Sequence, residues 1–260
     1  MSEVTRRAWK ARFRDCSPDV VFATWIDVTN LYRWIRPRAG GTVMILPNGS
    51  GAWKVRTSTA TLLSPTAKFL GANLQHFDQT FERVLKIDAG DSAVDVGACL
   101  GDTTIPMLRK VGPKGRVIAV EPEPTNARFL RLNTAHYRNA FIVEKAAWDS
   151  KTDLLLHLHV SPAGHSLVDS FPYGSALVRA DTLDNILAPF GKIDFLKLDV
   201  QGAELQALHG AEETLAKVPK VVVETHYFGA KMTAPKVEAH LQDKGFTVAR
   251  TPDRVVHAWR

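Results

Sequence analysis

The fold is decided by residues 94–104, VDVGACLGDTT, where an apolar run ends in a turn and a helical segment begins. Gly97 and Gly101 lack Cβ atoms, so the backbone of this turn can approach a bound ligand closely. A dinucleotide-binding fold spaces its glycines as G-x-G-x-x-G and seats a pyrophosphate on the helix N-terminus. Here Cys99 and Thr104 occupy two of those glycine positions, which disfavours NAD and FAD as cofactors.

Segments typical of strands and helices alternate on both sides of this turn, and this alternation implies a parallel sheet. The predicted strands are 93–96, 116–120, 141–147, 154–160, 176–179, 195–200, 221–225, 246–250 and 255–259, and the main helices are 103–111, 125–137 and 235–244. Residues 251–254 suit an antiparallel connection between the last two strands. We therefore predict an α/β, Rossmann-like fold with a mostly parallel sheet and a C-terminal antiparallel hairpin.

The N-terminal part of the chain carries separate patterns and is predicted to be an accessory extension. Residues 1–63 form this extension, and residues 64–260 form the main domain. Apolar residues at helical spacing indicate helices, and a turn-forming PNGSG sequence indicates a hairpin. The elements expected in the extension are a short helix within 20–36 and a hairpin of 42–46 with 52–57. A long helix over 64–87 is expected at the start of the main domain.

Two further strand ends place acidic side chains where a nucleoside could bind. Glu121 lies about 20 residues beyond the glycine turn, where a carboxylate can accept hydrogen bonds from both hydroxyls of a ribose. The apolar strand in FLKLDVQGAE, residues 195–204, delivers Asp199 to the carboxyl edge of the sheet, where open α/β sheets bind ligands. Ala147 and Trp148 follow the third strand, where a small and an aromatic side chain suit an adenine ring.

These stretches together resemble the FkbM-type family of class I S-adenosylmethionine-dependent methyltransferases. The matching segments are residues 94–104, 119–124, 181–184, 196–204 and 221–226. The resemblance extends from about Phe77 to Phe246, and it departs from the family pattern at Gln201, where the family usually has Glu. It implies a seven-stranded class I methyltransferase sheet and methyl transfer from S-adenosylmethionine to a hydroxyl of a sugar or another small molecule.

Carried over by position, the resemblance also implies a set of cofactor-binding residues along the carboxyl edge. The candidates are Asp95, Gly97, Gly101, Thr103, Glu121, Pro122, Asn126, Ala147, Trp148 and Asp199. Of these, Asp95, Gly97 and Gly101 are expected on the methionine side of S-adenosylmethionine, and Glu121 is expected at the ribose. Asn126, Ala147 and Trp148 are expected near the adenosine.

A hydroxyl acceptor needs a base to receive its proton. The catalytic candidates are Asp199, Glu224 and His226, of which His226 has the unperturbed pKa nearest neutrality. Two alternatives stay open: His226 could cap a strand end as a loop residue, and the three side chains could bind a divalent metal that polarises the hydroxyl. No short ligand spacing supports a metal, so a metal-free site is favoured.

The charge of the chain keeps a second function open. The 260 residues include 33 Lys plus Arg against 27 Asp plus Glu, a formal charge of +6, and the N-terminus carries a cluster of cations. The clustered cations are Arg6, Arg7, Lys10, Arg12 and Arg14. An RNA methyltransferase with a basic N-terminal arm is therefore the alternative.

The residues that follow Asp199 argue against that alternative. Enzymes that methylate base amino groups commonly carry Asp/Asn-Pro-Pro-Tyr/Phe after strand four, whereas Val-Gln-Gly follows Asp199 here. We expect a small-molecule or carbohydrate acceptor, with nucleic acid as the alternative partner. A non-catalytic module that binds S-adenosylmethionine is a third interpretation.

The sequence also bears on the compartment of the protein. No apolar stretch approaches the roughly 20 residues of a membrane helix, and the N-terminus lacks the apolar core of a signal peptide. Cys16 and Cys99 lie far apart and have no metal-binding spacing. These features predict a cytoplasmic protein without a membrane partner, and they leave the oligomeric state open.

Overall fold

Strands and helices alternate along the chain in the computed structural model, which describes residues 44–47, 52–57, 60–66, 69, 73–228 and 231–260. The strands are β1 (Met44–Pro47), β2 (Trp53–Arg56), β3 (Thr61–Ser64), β4 (Ser92–Val96), β5 (Arg116–Val120), β6 (Ala140–Val143), β7 (Ala146–Ala147), β8 (Thr152–His157), β9 (Ser175–Asp181), β10 (Phe195–Leu198), β11 (Lys220–Glu224), β12 (Tyr227–Phe228), β13 (Lys231–Met232), β14 (Thr247–Arg250) and β15 (Val255–Trp259). The helices are α1 (Asn73–Thr80), α2 (Thr104–Val111), α3 (Pro124–Thr134), α4 (Leu183–Leu187), α5 (Glu204–His209), α6 (Glu212–Leu215) and α7 (Ala234–Asp243).

Seven of these strands form the central sheet, in the order β14-β15-β11-β10-β4-β5-β6. Strand β15 is antiparallel to both of its neighbours, and the other neighbouring pairs are parallel. The predicted Rossmann-like class I sheet and its C-terminal hairpin are therefore confirmed. The strand order reverses between β4 and β10, so the carboxyl ends of these two strands bound the crevice in which such sheets bind ligands.

Strands β4 and β10 are buried along their whole length because apolar layers cover both faces of the sheet. Side chains alternate between the faces: Val94 and Leu196 pack in one apolar cluster, and Ala93 and Phe195 pack in the other. Burial on both faces explains why these strands are nearly continuous apolar runs. It also makes any charged residue within them a feature that needs a partner.

A second, smaller sheet has the order β7-β9-β8 and corrects one prediction. The run 141–147 was expected to be one strand, but it divides into β6 in the central sheet and β7 in the small sheet. Ala146 and Ala147 pair with Ala180 and Asp181 of β9, so the chain changes sheets between positions 143 and 146. Periodicity cannot show this change, because both pieces are apolar and extended.

The N-terminal hairpin is confirmed, whereas the long helix over 64–87 is wrong. Strands β1 and β2 pair antiparallel, and β3 adds a third strand in which Ser64 pairs with Trp53. Pro65 disfavours helical backbone at Ser64, the residue before it, so the chain stays extended there. Among the described residues of this range only α1 is helical, and Phe77 within it and Phe81 just after it are buried in the core.

Residues 1–43 lie outside the described residues, and with them the predicted helix within 20–36. The boundary between 1–63 and 64–260 stays a prediction. Among the residues that the structure describes, no helix has both the length and the apolar character that a bilayer span requires.

His257 of β15 gives a testable consequence of the buried sheet. Its ring is fully buried, and neither ring nitrogen has a hydrogen-bond partner in the part of the chain that the structure describes. Burial therefore lowers the pKa of His257 to about 4. Between about pH 6.5 and pH 4 this histidine is protonated in the unfolded chain but neutral in the native state. It therefore makes the free energy of unfolding fall as the pH is lowered through this range.

We expect His257→Leu to remove this contribution, which amounts to at most about 1.4 kcal/mol per pH unit. Other groups titrate in the same range, so the informative quantity is the difference in unfolding free energy between the variant and the wild type from pH 7 to pH 4. The exposed His136, changed to Gln, is the matched control and should keep the wild-type pH dependence. Parallel curves for His257→Leu and the wild type would contradict the prediction.

Candidate functional site

A cavity that is partly open to solvent lies at the carboxyl ends of β4, β5 and β10. The predicted cofactor residues that line it are Gly97, Thr103, Glu121, Pro122, Ala147 and Asp199. Those that do not line it are Asp95, Gly101, Asn126 and Trp148.

The glycine turn between β4 and α2 packs directly against the end of β10. Gly97 has a φ of +77°, and a Cβ at this position would lie 1.8 Å from the carbonyl oxygen of Asp199. Only glycine fits there, which explains why the turn begins with it. Gly101 also has a positive φ, but its open side faces Leu130 of α3 and not the cavity.

Asp95 lies beneath this turn in a fully buried ion pair. It is the register partner of Lys197 across β4 and β10, and the Lys197 ammonium lies 2.8 Å from its carboxylate. The hydroxyls of Thr103 and Thr104 donate to the same carboxylate at 2.7 and 2.6 Å. Burial opposes the charge of Lys197, but Asp95 and Asp199 raise its pKa above the usual range. Asp95 thus supports the turn from below.

Glu121 is held by backbone donors at the end of β5. Its carboxylate accepts the N–H groups of Cys99 at 2.9 Å and Glu123 at 3.0 Å, and the Asn126 amide lies 3.4 Å away. Burial raises the pKa of Glu121 to about 7 despite these hydrogen bonds. Asn126 therefore orients Glu121 from outside the cavity, while Trp148 packs in the apolar cluster of the small sheet.

The three predicted catalytic residues come together beside the cavity. His226 Nε2 lies 3.7 Å from Asp199 Oδ1 and 3.9 Å from Glu224 Oε1. Burial, followed by the charge of Asp199, raises the pKa of Glu224 to about 7. Burial opposes protonation of His226, but the carboxylates around it raise its pKa above the usual value. Asp199 lines the cavity, whereas Glu224 and His226 lie beside it and are not part of the cavity lining.

Three further residues of the cavity are absent from the predicted cofactor-binding and catalytic sets. Asp102 follows the glycine turn directly, and burial raises its pKa to about 7. Gln201 has a φ of +50° and donates its amide to Asp199 Oδ1 at 2.8 Å. His165 comes from the loop between β8 and β9, and this loop is attached to the sheet where the Ser166 hydroxyl donates to the Gln201 carbonyl at 2.8 Å.

Metal binding receives no support from side-chain spacing. Within the described residues, no group of three or more His, Cys, Asp or Glu side chains has an arrangement that could hold a metal ion.

Comparison with known proteins agrees with this geometry. A family model described as the methyltransferase FkbM domain matches residues 95–248. Methyltransferase sdnD of Sordaria araneosa is 31% identical over an alignment of 194 positions, which covers 60% of this chain and 74% of that protein.

Two solved structures illustrate the more distant similarities. The Methanococcus jannaschii fibrillarin pre-rRNA processing protein has 13% identity and a TM-score of 0.47, with 84% of this chain and 97% of that chain covered. Aeropyrum pernix fibrillarin in complex with S-adenosyl-L-methionine has 14% identity and a TM-score of 0.46, with 80% and 94% covered.

The family match spans more than half of the chain and contains the glycine turn, Glu121 and Asp199. With the reversal of strand order that places these residues around one cavity, it shows that the chain belongs to the FkbM family of S-adenosylmethionine-dependent methyltransferases.

Proposed function

We propose that this chain transfers a methyl group from S-adenosylmethionine to a hydroxyl of a small molecule or a sugar. The observation that carries the cofactor assignment is the acidic lining of the cavity by Asp102, Glu121 and Asp199. Lys145 also lines it, but its ammonium lies 2.8 Å from Asp181. Such a lining favours the sulfonium and ammonium charges of S-adenosylmethionine and opposes the pyrophosphate of NAD.

The residues of the cavity suit the parts of this cofactor. Glu121 is placed to accept a hydrogen bond from the ribose, since its Oε2, which accepts the Cys99 N–H, has a second lone pair. Gly97 and Thr103 border the methionine side, and Pro122 and Ala147 offer apolar contact for the adenosine. When bound, S-adenosylmethionine supplies a methyl group on a positively charged sulfur, which keeps the electron pair of the broken bond.

The chain itself has to orient the acceptor and receive its proton. In this proposal, His226 Nε2 takes the proton of the hydroxyl as its oxygen becomes bonded to the methyl carbon. Asp199 and Glu224 lie beside that nitrogen and stabilise the imidazolium that results. His226 is assigned as the base because imidazole has the ordinary pKa nearest neutrality and because its Nε2 is not engaged by Glu204, which contacts Nδ1.

We expect Glu121→Ala to weaken the binding of S-adenosylmethionine by about 1.5–3 kcal/mol, the scale for lost hydrogen bonds to a charged group. Isothermal calorimetry measures the affinity, and thermal melting shows whether the fold survives. Glu123→Gln is the matched control, because Glu123 lies two residues away and caps α3 outside the cavity. An affinity unchanged by Glu121→Ala would mean that the carboxylate does not contact the ribose.

A transfer assay with tritiated methyl tests the acceptor class. Cell extract is divided into small-molecule, RNA and protein fractions, and each is incubated with the enzyme and labelled cofactor. The proposal predicts label in the small-molecule fraction. Label in RNA would establish the alternative function, and tight cofactor binding without transfer to any fraction would favour a non-catalytic module. Activity lost to a chelator and restored by Mg²⁺ or Mn²⁺ would assign activation of the hydroxyl to a metal.

A further inference from the structure

Glu204, at the start of α5, is a fully buried carboxylate that is not part of the cavity lining. One oxygen, Oε1, accepts the backbone N–H of Gly202 at 2.9 Å and lies 2.8 Å from His226 Nδ1. The other oxygen, Oε2, is buried and has no hydrogen-bond partner among the described residues. A buried carboxylate that is only half satisfied is unfavourable for stability, so its presence points to a functional constraint.

The contacts of His226 show what this carboxylate does. The backbone N–H of His226 donates to the Thr233 hydroxyl at 3.1 Å, and its carbonyl accepts the Thr233 N–H at 2.8 Å. With the backbone fixed in this way, the hydrogen bond to Glu204 determines the orientation of the ring. Because a carboxylate only accepts hydrogen bonds, it selects the tautomer in which Nδ1 carries the hydrogen. The Nε2 lone pair then faces the side of Asp199 and Glu224.

We propose that Glu204 is a positioning residue that holds His226 in the Nδ1–H tautomer with Nε2 directed to the acceptor side. This inference rests on the proposed function, in which His226 is the base. Glu204 itself does not touch the reacting atoms, since it lies on the opposite edge of the imidazole. A carboxylate that orients a histidine in this way stabilises the imidazolium formed when the proton is transferred.

The charged groups around His226 determine the direction of the pH effect. Asp199 after β10, Glu204 on α5 and Glu224 at the end of β11 all favour its protonated form. Two cations lie further out: Lys197 beside Asp199, and Arg254 near Glu224. Removing the negative charge of Glu204 should therefore lower the pH at which His226 titrates.

Nitrogen-15 NMR of histidine-labelled enzyme tests the pairing without any acceptor, and comparison with His226→Asn assigns the ring signals. In the wild type we expect the Nδ1–H tautomer above the titration midpoint. Glu204→Gln should move that midpoint to lower pH by about one unit or more, the scale for losing a nearby opposite charge. Glu212→Gln is the matched control, because this half-exposed carboxylate pairs with Lys244 away from the site, and it should leave the midpoint unchanged.

Turnover supplies the second measurement. Glu204→Gln should lower kcat and move the acidic limb of its pH profile in the same direction as the NMR midpoint, with the KM for S-adenosylmethionine unchanged. A purely structural role would lower activity without moving this limb. The inference is overturned by an Nε2–H tautomer in the wild type, which is decisive even if the variant does not fold, or by equal midpoints in the two proteins. The expected NMR result with a fully active His226→Asn enzyme would instead overturn the proposed base.

Discussion

Replacing His226 by Ala is expected to lower kcat by about 10²-fold or more, the usual contribution of a general base, while the affinity for S-adenosylmethionine stays nearly the same. The reason is that His226 lies beside Asp199 but does not line the cofactor cavity, so the proposed function assigns it to the proton of the acceptor and not to cofactor binding. Steady-state kinetics on the acceptor found in the tritium assay measures kcat, and calorimetry measures the affinity.

The exposed His136 is the matched control, and His136→Ala should behave as the wild type in both measurements. A His226→Ala enzyme with full activity at every pH would remove this residue from the mechanism. Asp199, which lines the cavity and is the nearest carboxylate to His226 Nε2, would then be the remaining candidate base.

Replacing Lys197 by Met is expected to lower the free energy of unfolding by about 3–5 kcal/mol, because it leaves the buried carboxylate of Asp95 without its countercharge. Both side chains are fully buried, so water cannot solvate the remaining charge. The loss should extend to function, since the same carboxylate holds Thr103 and Thr104 at the start of α2. Urea denaturation followed by circular dichroism measures the stability.

Two comparisons make this result specific. Lys192→Met breaks an ion pair of similar length, 2.6 Å to Asp194, but the lysine is exposed, so its stability should stay close to that of the wild type. The double variant Lys197→Met with Asp95→Leu should recover part of the loss, because it removes the unpaired charge. Equal stabilities for Lys197→Met and Lys192→Met would contradict a buried pair at the centre of the sheet.

Sequence patterns predict the central sheet well because its strands are apolar runs with turns on both sides. Strands β5 and β15 begin and end at the predicted residues. The errors occur where the same apolar character is compatible with another arrangement. The run 141–147 belongs to two sheets, and the range 64–87 begins at Ser64, which is the last residue of β3. In both places tertiary pairing decides between local alternatives.

The candidate site likewise contains residues that the sequence can place and contacts that it cannot. Residues that directly follow strands, such as Gly97, Glu121 and Asp199, can be placed from sequence because parallel strands bring their carboxyl ends to one edge. The pairing of Asp95 with Lys197 depends on which strand lies beside β4, and the contact of Glu204 with His226 depends on side-chain orientation. A single sequence contains neither piece of information.

Calorimetric titration of the wild-type enzyme with S-adenosylmethionine and, in parallel, with NAD tests the central claim most directly. An acidic cavity beside a turn without the dinucleotide glycine pattern predicts tight binding of S-adenosylmethionine and much weaker binding of NAD. Because Asp102 and Glu121 have pKa values raised to about 7, the affinity for the positively charged ligand should also fall as the pH is lowered below 7. Tighter binding of NAD than of S-adenosylmethionine would contradict the account.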